Sequence, residues 1–160
     1  MESLKLMYFG MPRSWYNENR KDYSISEERF NTLLQKLKNL PDKPILLYIQ
    51  NACSIFVKEL LDDYKIRGID FVDYFKSVFE NEKYELPQAD IVVIYNVGIE
   101  RALNTDFAAR LLYGLIEQLK QQGTHIFLCS YLPYNEFFKK YNIEFVNKIV
   151  VGKKAEEKFI

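Results

Sequence analysis

Catalysis needs side chains that exchange protons, hold a metal or cradle an anion, and this chain offers few of them in recognisable patterns. Its single histidine, His125, opens the apolar run 126–129. A Ser-His-Asp triad or a metal site would have to rest on that one ring. No G-x-S-x-G elbow, G-x-G-x-x-G loop or metal-ligand spacing accompanies it, so His125 reads as a structural or rim residue. The pairs Asp62-Asp63 and Asp70-Asp73 could act as paired carboxylates. With no partner acid, base or ligand in pattern, they read as solvated helix or turn residues. Cys53 and Cys129 are the only cysteines; both lie in apolar strings without CxxC spacing, which predicts buried free thiols in a reducing compartment. No metal and no cofactor are expected.

The elements that would position these residues follow from apolar periodicity. Ser26 is an N-cap candidate for a helix carrying Phe30, Leu33, Leu34 and Leu37 on one stripe and ending before Pro41. Ile45 to Ile49 is a continuous apolar run of the kind found in a strand covered on both faces. A helical pattern runs from Ser54 to Lys65, with Gly68 placed to stop it, followed by a brief strand over 69–72 and a helix over 73–79. Ile91 to Ile94 is the strongest strand signal. A long helix over 105–122, a strand over 126–129, a short helix over 135–141 and a last edge strand over 145–151 complete the series. Apolar strands alternating with amphipathic helices predict an α/β domain with a three-layer, mostly parallel sheet of about four or five strands. One domain over 1–160 is expected, divided into an irregular aromatic arm (1–25), an α/β core (26–152) and a charged tail (153–160).

Ala89, Asp90, the four apolar residues 91–94, Gly98 and Glu100 stand in register with the pattern A-D-hydrophobic×4-D-D-L-G-x-E. That segment resembles the Walker B strand of bacterial replicative-helicase loaders of the DnaC/DnaI type. Leu111-Leu112-Tyr113-Gly114-Leu115-Ile116 is similar to the helix that follows in that family. Cys129-Ser130-Tyr131-Leu132 resembles the end of its sensor 1 strand, and Phe9 to Arg13 with Trp15 and Tyr16 resembles the arm before its ATPase core. The resemblance implies a P-loop NTPase-like fold, an AAA+ core without a lid domain.

The same resemblance places a degenerate nucleotide site at Asn51, Ser54, Tyr95, Asn96 and Tyr131. Tyr95 and Asn96 stand where the family has its two acids, and Tyr131 where it has the sensor asparagine. A phosphate loop, G-x-x-x-x-G-K-[ST], should follow the first strand, because its backbone N–H groups and lysine wrap the phosphates. The sequence there is Gln50 to Phe56, and no glycine occurs between Gly10 and Gly68. Phosphoryl transfer depends on positioning and charge neutralisation, so ATP binding and hydrolysis are expected to be lost. The family's arginines near the end of the core have no counterpart around Asn147 to Val150, where Lys148 is a weak stand-in.

Twenty-two basic and twenty-two acidic residues cancel, which leaves no overall field for a nucleic acid and weak repulsion against self-association. Arg13, Trp15, Tyr16 and Arg20 combine cations with stacking rings and are the candidate nucleic-acid or partner contacts. The lead expectation is therefore a non-catalytic AAA+-like protein acting by protein contact in DNA replication. Its partner would be a helicase, a helicase loader or an initiator, and DNA contact is a lesser expectation. Two alternatives stand beside it: a Rossmann-like enzyme or small-ligand binder using Asn51, Tyr95, Asn96 and Ser130 at the strand carboxyl ends, and a structural homo-oligomer. No run of about 18 apolar residues and no signal peptide is visible, which predicts a cytoplasmic protein with no membrane association.

Overall fold

The computed structural model describes residues 26–50, 53–98, 105–149 and 157–158. The aromatic arm, 1–25, lies outside them. The first helix, α1 (Glu27–Lys38), begins at Ser26, whose extended backbone turns its hydroxyl to accept from the Arg29 N–H at 3.2 Å. Glu27 and Glu28 in its first turn and Lys36 and Lys38 in its last complement the helix dipole. Strand β1 (Leu46–Gln50) follows, then α2 (Cys53–Leu60), β2 (Ile66–Asp70), α3 (Phe71–Phe79), β3 (Ile91–Val97), α4 (Thr105–Gln121), β4 (His125–Ser130), α5 (Tyr134–Tyr141) and β5 (Asn147–Ile149).

The five strands form one parallel sheet in the order β2-β3-β4-β1-β5, and a two-residue strand, β6 (Glu157–Lys158), pairs antiparallel with β5 at its edge. Residues 157 and 158 had been expected within a charged tail; their pairing covers part of an otherwise open edge.

The strand alternation of two sorts the core into two layers. Leu47, Ile49, Ile91, Val93, Tyr95, Phe127 and Cys129 face α1 and α2, where Leu37, Phe56 and Leu60 meet them. Tyr48, Val92, Ile94, Ile126 and Leu128 face the other way, against Leu112, Leu115 and Leu119 of α4 and Phe137 and Tyr141 of α5. This is a three-layer α/β fold. Both faces of the central strands are covered, which is why their sequences are continuous apolar runs without polar alternation.

The expected boundaries around 65–73 are corrected: the strand expected over 69–72 is β2 (Ile66–Asp70), and residues 71 and 72 open α3. Gly68 does not stop a helix; it sits in the middle of β2, paired with Val93. The helical pattern breaks earlier, after Leu60, where the Leu60 carbonyl accepts from both Asp63 and Tyr64 and exposed Asp62 and Asp63 occupy the turn. Gly123 does end α4, with φ of +80°, a conformation that disfavours any side chain.

His125 ties the amino ends of β1 and β4 together. Its Nδ1 accepts from the Ile45 N–H at 3.1 Å, and the ring is 8% exposed. An Nδ1 that accepts must be unprotonated, so the fold holds the neutral ring. Burial accordingly lowers its pKa below the ordinary histidine value; Asp90 and the Pro41 backbone oppose that only in part. The unfolded chain therefore binds this proton more readily. The contribution is complete above about pH 6.5 and is lost as pH falls through the folded value. Replacing His125→Asn keeps an acceptor near the Nδ1 position without a titrating ring. The expected result is a melting temperature that falls less than the wild type's between pH 7.5 and pH 5, while His125→Ala at pH 7.5 loses about 1–3 kcal/mol by orphaning the Ile45 N–H.

Candidate functional site

In an open parallel sheet, ligands meet the carboxyl ends of the strands. Here those ends bring together Gln50, Asp70, Asn96, Gly98, Ser130 and, from α5, Lys140.

The tip of β3 carries a bulge. Ile94 pairs with Leu128 but Val97 pairs with Ser130, so β3 has one residue more than β4 across that interval. Asn96 adopts the left-handed conformation at φ +60°, which asparagine tolerates better than most side chains. The extra residue keeps Tyr95 on the α2 side of the sheet and returns Val97 to the α4 side. Tyr95 and Asn96 are thus distinguished by packing. Tyr95 lies 9% exposed in the core with Ile49, Phe56 and Cys129, while the Asn96 amide donates to Asp70 Oδ2 at 3.1 Å. Asp70 is committed twice, because its Oδ1 accepts from the Val72 N–H at 2.9 Å and so caps α3. Asp70, read from sequence as a solvated helix or turn residue, is thus a half-buried helix cap.

Ser130 closes the neighbouring tip. Its Oγ donates to the Val97 carbonyl at 3.0 Å and accepts from the Leu132 N–H at 3.1 Å. Tyr48, fully buried, donates its phenol to the Leu132 carbonyl, and its ring packs against Tyr134, Phe137 and Phe145. Burial pushes the Tyr48 phenol far above the ordinary tyrosine range; the Ser130 hydroxyl opposes that shift, and Tyr134 and Glu136 add to it. The Gly98 carbonyl accepts from Lys140 Nζ at 3.2 Å and from the Tyr131 hydroxyl at 3.4 Å. Gly98 has φ of +100°, and a Cβ there would stand 2.8 Å from Leu132 Cδ1. A side chain here would be strained by the left-handed backbone, and the Leu132 side chain would have to move to admit it.

This arrangement has no activated nucleophile. The Ser130 proton goes to a backbone carbonyl, not to a base, and His125 sits at the other end of β4, about 17 Å away at roughly 3.3 Å per residue. Among the described residues, no group of three or more His, Cys, Asp or Glu side chains is placed to hold a metal ion. Among the described residues, one buried side-chain oxygen lacks a partner: Oε1 of Gln50, a residue 8% exposed at the tip of β1.

Of the site residues named from sequence, Tyr95, Asn96 and Ser130 come together at the strand tips, and Tyr131 joins them, 52% exposed, through Gly98. Asn51, Arg13, Trp15, Tyr16 and Arg20 lie outside the described residues, and of Ser54 only the helical backbone in α2 is described. Lys148 stands 4.1 Å from the centre of the Tyr134 ring, a cation–π contact. Gln50, Tyr48 and Lys140 were not singled out from sequence, because each needs the tertiary fold to bring it to the tips. Asp70 carried a local signal, an acidic residue directly before a helical apolar run.

Cys129 corrects the free-thiol expectation, since it is disulfide-bonded. The argument for a reducing compartment that rested on buried thiols falls with it. No helix among the described residues is long and apolar enough to cross a membrane. No protein-family model matches the chain, and no curated protein matches it.

The Asn96–Asp70 contact can be tested by placing an acid at position 96. Asn96→Asp exchanges a hydrogen bond to a carboxylate for like-charge repulsion, an expected loss of about 1.5–3 kcal/mol at pH 7. Repulsion raises a carboxyl pKa in the folded state above its unfolded value, so the loss should shrink as pH falls through that raised value. Urea denaturation at pH 7 and pH 4.5 measures both; an equal loss at the two pH values would contradict the contact.

Proposed function

We propose that this chain is a non-hydrolysing relative of the AAA+ helicase loaders and acts in DNA replication by contact with another protein. The observation that carries the reading is the state of the strand tips, where a carboxylate-to-amide change at Asn96 is absorbed by Asp70 and Tyr95 lies within the core. A triphosphate with its metal needs donors and acids that face an opening. Here Ser130, Lys140 and Asp70 are engaged with the protein's own backbone, and a metal-holding acid pair on β3 is lacking in the sequence.

With β4 between β1 and β3, the strand order is β5-β1-β4-β3-β2. It differs from the dinucleotide-binding order 3-2-1-4-5-6 and from the flavodoxin-like order 2-1-3-4-5. A second reading is favoured by Gln50, whose orphaned Oε1 calls for a hydrogen-bond donor at the tip of β1. A small ligand with an N–H or O–H group would supply one, as would a single buried water.

Cross-linking the tagged protein in its native host, followed by mass spectrometry, separates these readings. Enrichment of a replicative helicase, a loader or an initiator at least tenfold over a tag-only control is the expected outcome. Recovery of none of these, with a small molecule retained by the purified protein, would replace the first reading with the second.

A further inference from the structure

The two edges of the sheet differ. β6 covers part of β5, whereas β2 ends the sheet with no strand on its outer side among the described residues. We propose that this open edge is a dimerisation surface, on which β2 of a second copy of the chain pairs antiparallel about Gly68. The proposal does not depend on the replication reading.

The hydrogen-bond phase of β2 decides which backbone groups are available. The Ile91 N–H donates to the Lys65 carbonyl, so alternate residues, Lys65, Arg67 and Ile69, bond to β3. Ile66, Gly68 and Asp70 therefore turn their backbone groups outward. Asp70 is the N-cap of α3, and an N-cap carbonyl already accepts the first bond of its helix. The Ile66 carbonyl accepts from Arg67 Nη1 at 2.9 Å. At the centre of the edge, Gly68 offers both an N–H and a carbonyl with no side chain beside them.

An antiparallel copy centred on Gly68 fits this set. The Gly68 amide of each copy donates to the Gly68 carbonyl of the other, and each Asp70 amide meets the other copy's Ile66 carbonyl. A carbonyl has two lone pairs, so Ile66 can accept that amide beside the Arg67 guanidinium or in its place.

Charge selects the orientation and the partner. Lys65 and Arg67, both exposed, precede Gly68; Asp70 and the exposed Asp73 follow it. A parallel copy would set cations against cations. An antiparallel copy lays the cationic half of each strand along the acidic half of the other, a match that a second copy carries by construction. Arg67 lies on the same face of the sheet as Ile69, the face on which α3 packs, and Asp73 stands in the first turn of α3. The acids Asp62 and Asp63 sit in the turn before β2, outside the paired stretch. Each copy uses the same edge, so the pairing closes at a dimer and does not propagate into a fibre.

The test uses the full chain. Sedimentation from about 1 μM to about 1 mM, which spans weak association, should show a monomer converting to a dimer. Over that range, exchange of the outward Gly68 and Asp70 amides should slow, while the inward Arg67 and Ile69 amides stay protected throughout. Gly68→Pro removes an outward donor without costing a bond to β3 and should weaken the dimer about tenfold or more. If that variant does not fold, substitutions at exposed positions decide: Arg67→Glu and Asp73→Lys should each weaken the dimer about fivefold, and the two together should restore it. A monomer at every concentration would overturn the pairing, whether or not another protein's strand takes the edge. A dimer in which the Gly68 amide exchanges as fast as in the monomer, or a double charge variant no tighter than the single ones, would overturn it too.

Discussion

A single hydroxyl, Ser130 Oγ, bridges the last carbonyl of β3 and the Leu132 amide two residues beyond β4, and the carboxyl end of the sheet is organised around that bridge. Parallel strands end with unpaired backbone groups, and burying such groups without partners is costly. In a nucleotide-binding domain, a ligand can meet that demand. In this protein the chain meets much of it internally: Ser130 serves Val97 and Leu132, Lys140 and Tyr131 serve Gly98, and Tyr48 serves the Leu132 carbonyl from within the core. The absence of a side chain at Gly98 leaves room for the Leu132 side chain over the tip of β3.

Under the proposed function, that closure moves the weight of function from the interior to the surface. A site whose donors and acceptors answer one another gains little from an anion, since binding would break contacts already made. Tyr113 and Tyr131, each more than half exposed, are the kind of rings that serve contact between proteins. Cancelling charges impose no long-range repulsion on a partner.

Much of the fold was legible because its elements follow strong local rules. Ser26, Gly123 and the stripe of Phe30, Leu33, Leu34 and Leu37 marked helix ends and faces directly. The runs 45–49, 91–94 and 126–129 marked central strands, because two-sided burial leaves no polar alternation. Gly68 misled for a physical reason: the same lack of a Cβ that suits a helix end also fits a strand, and β2 needs only a short register against β3. The bulge at Asn96 was invisible for a related reason, since one added residue is set by how β3 must meet both Asp70 and Ser130. The state of Cys129 was not legible either. An apolar neighbourhood suits a buried thiol and a buried disulfide equally.

The central claim is that the strand tips are closed to a polyphosphate by the protein's own side chains. A titration of ¹⁵N-labelled protein with ATP and Mg²⁺, followed through the backbone amides of Gly98, Ser130 and Leu132, tests it most directly. The account predicts that these resonances stay in place at millimolar nucleotide. Saturable shifts at all three in the micromolar range would contradict it, because they would put a triphosphate where Ser130 and Lys140 now hold the backbone.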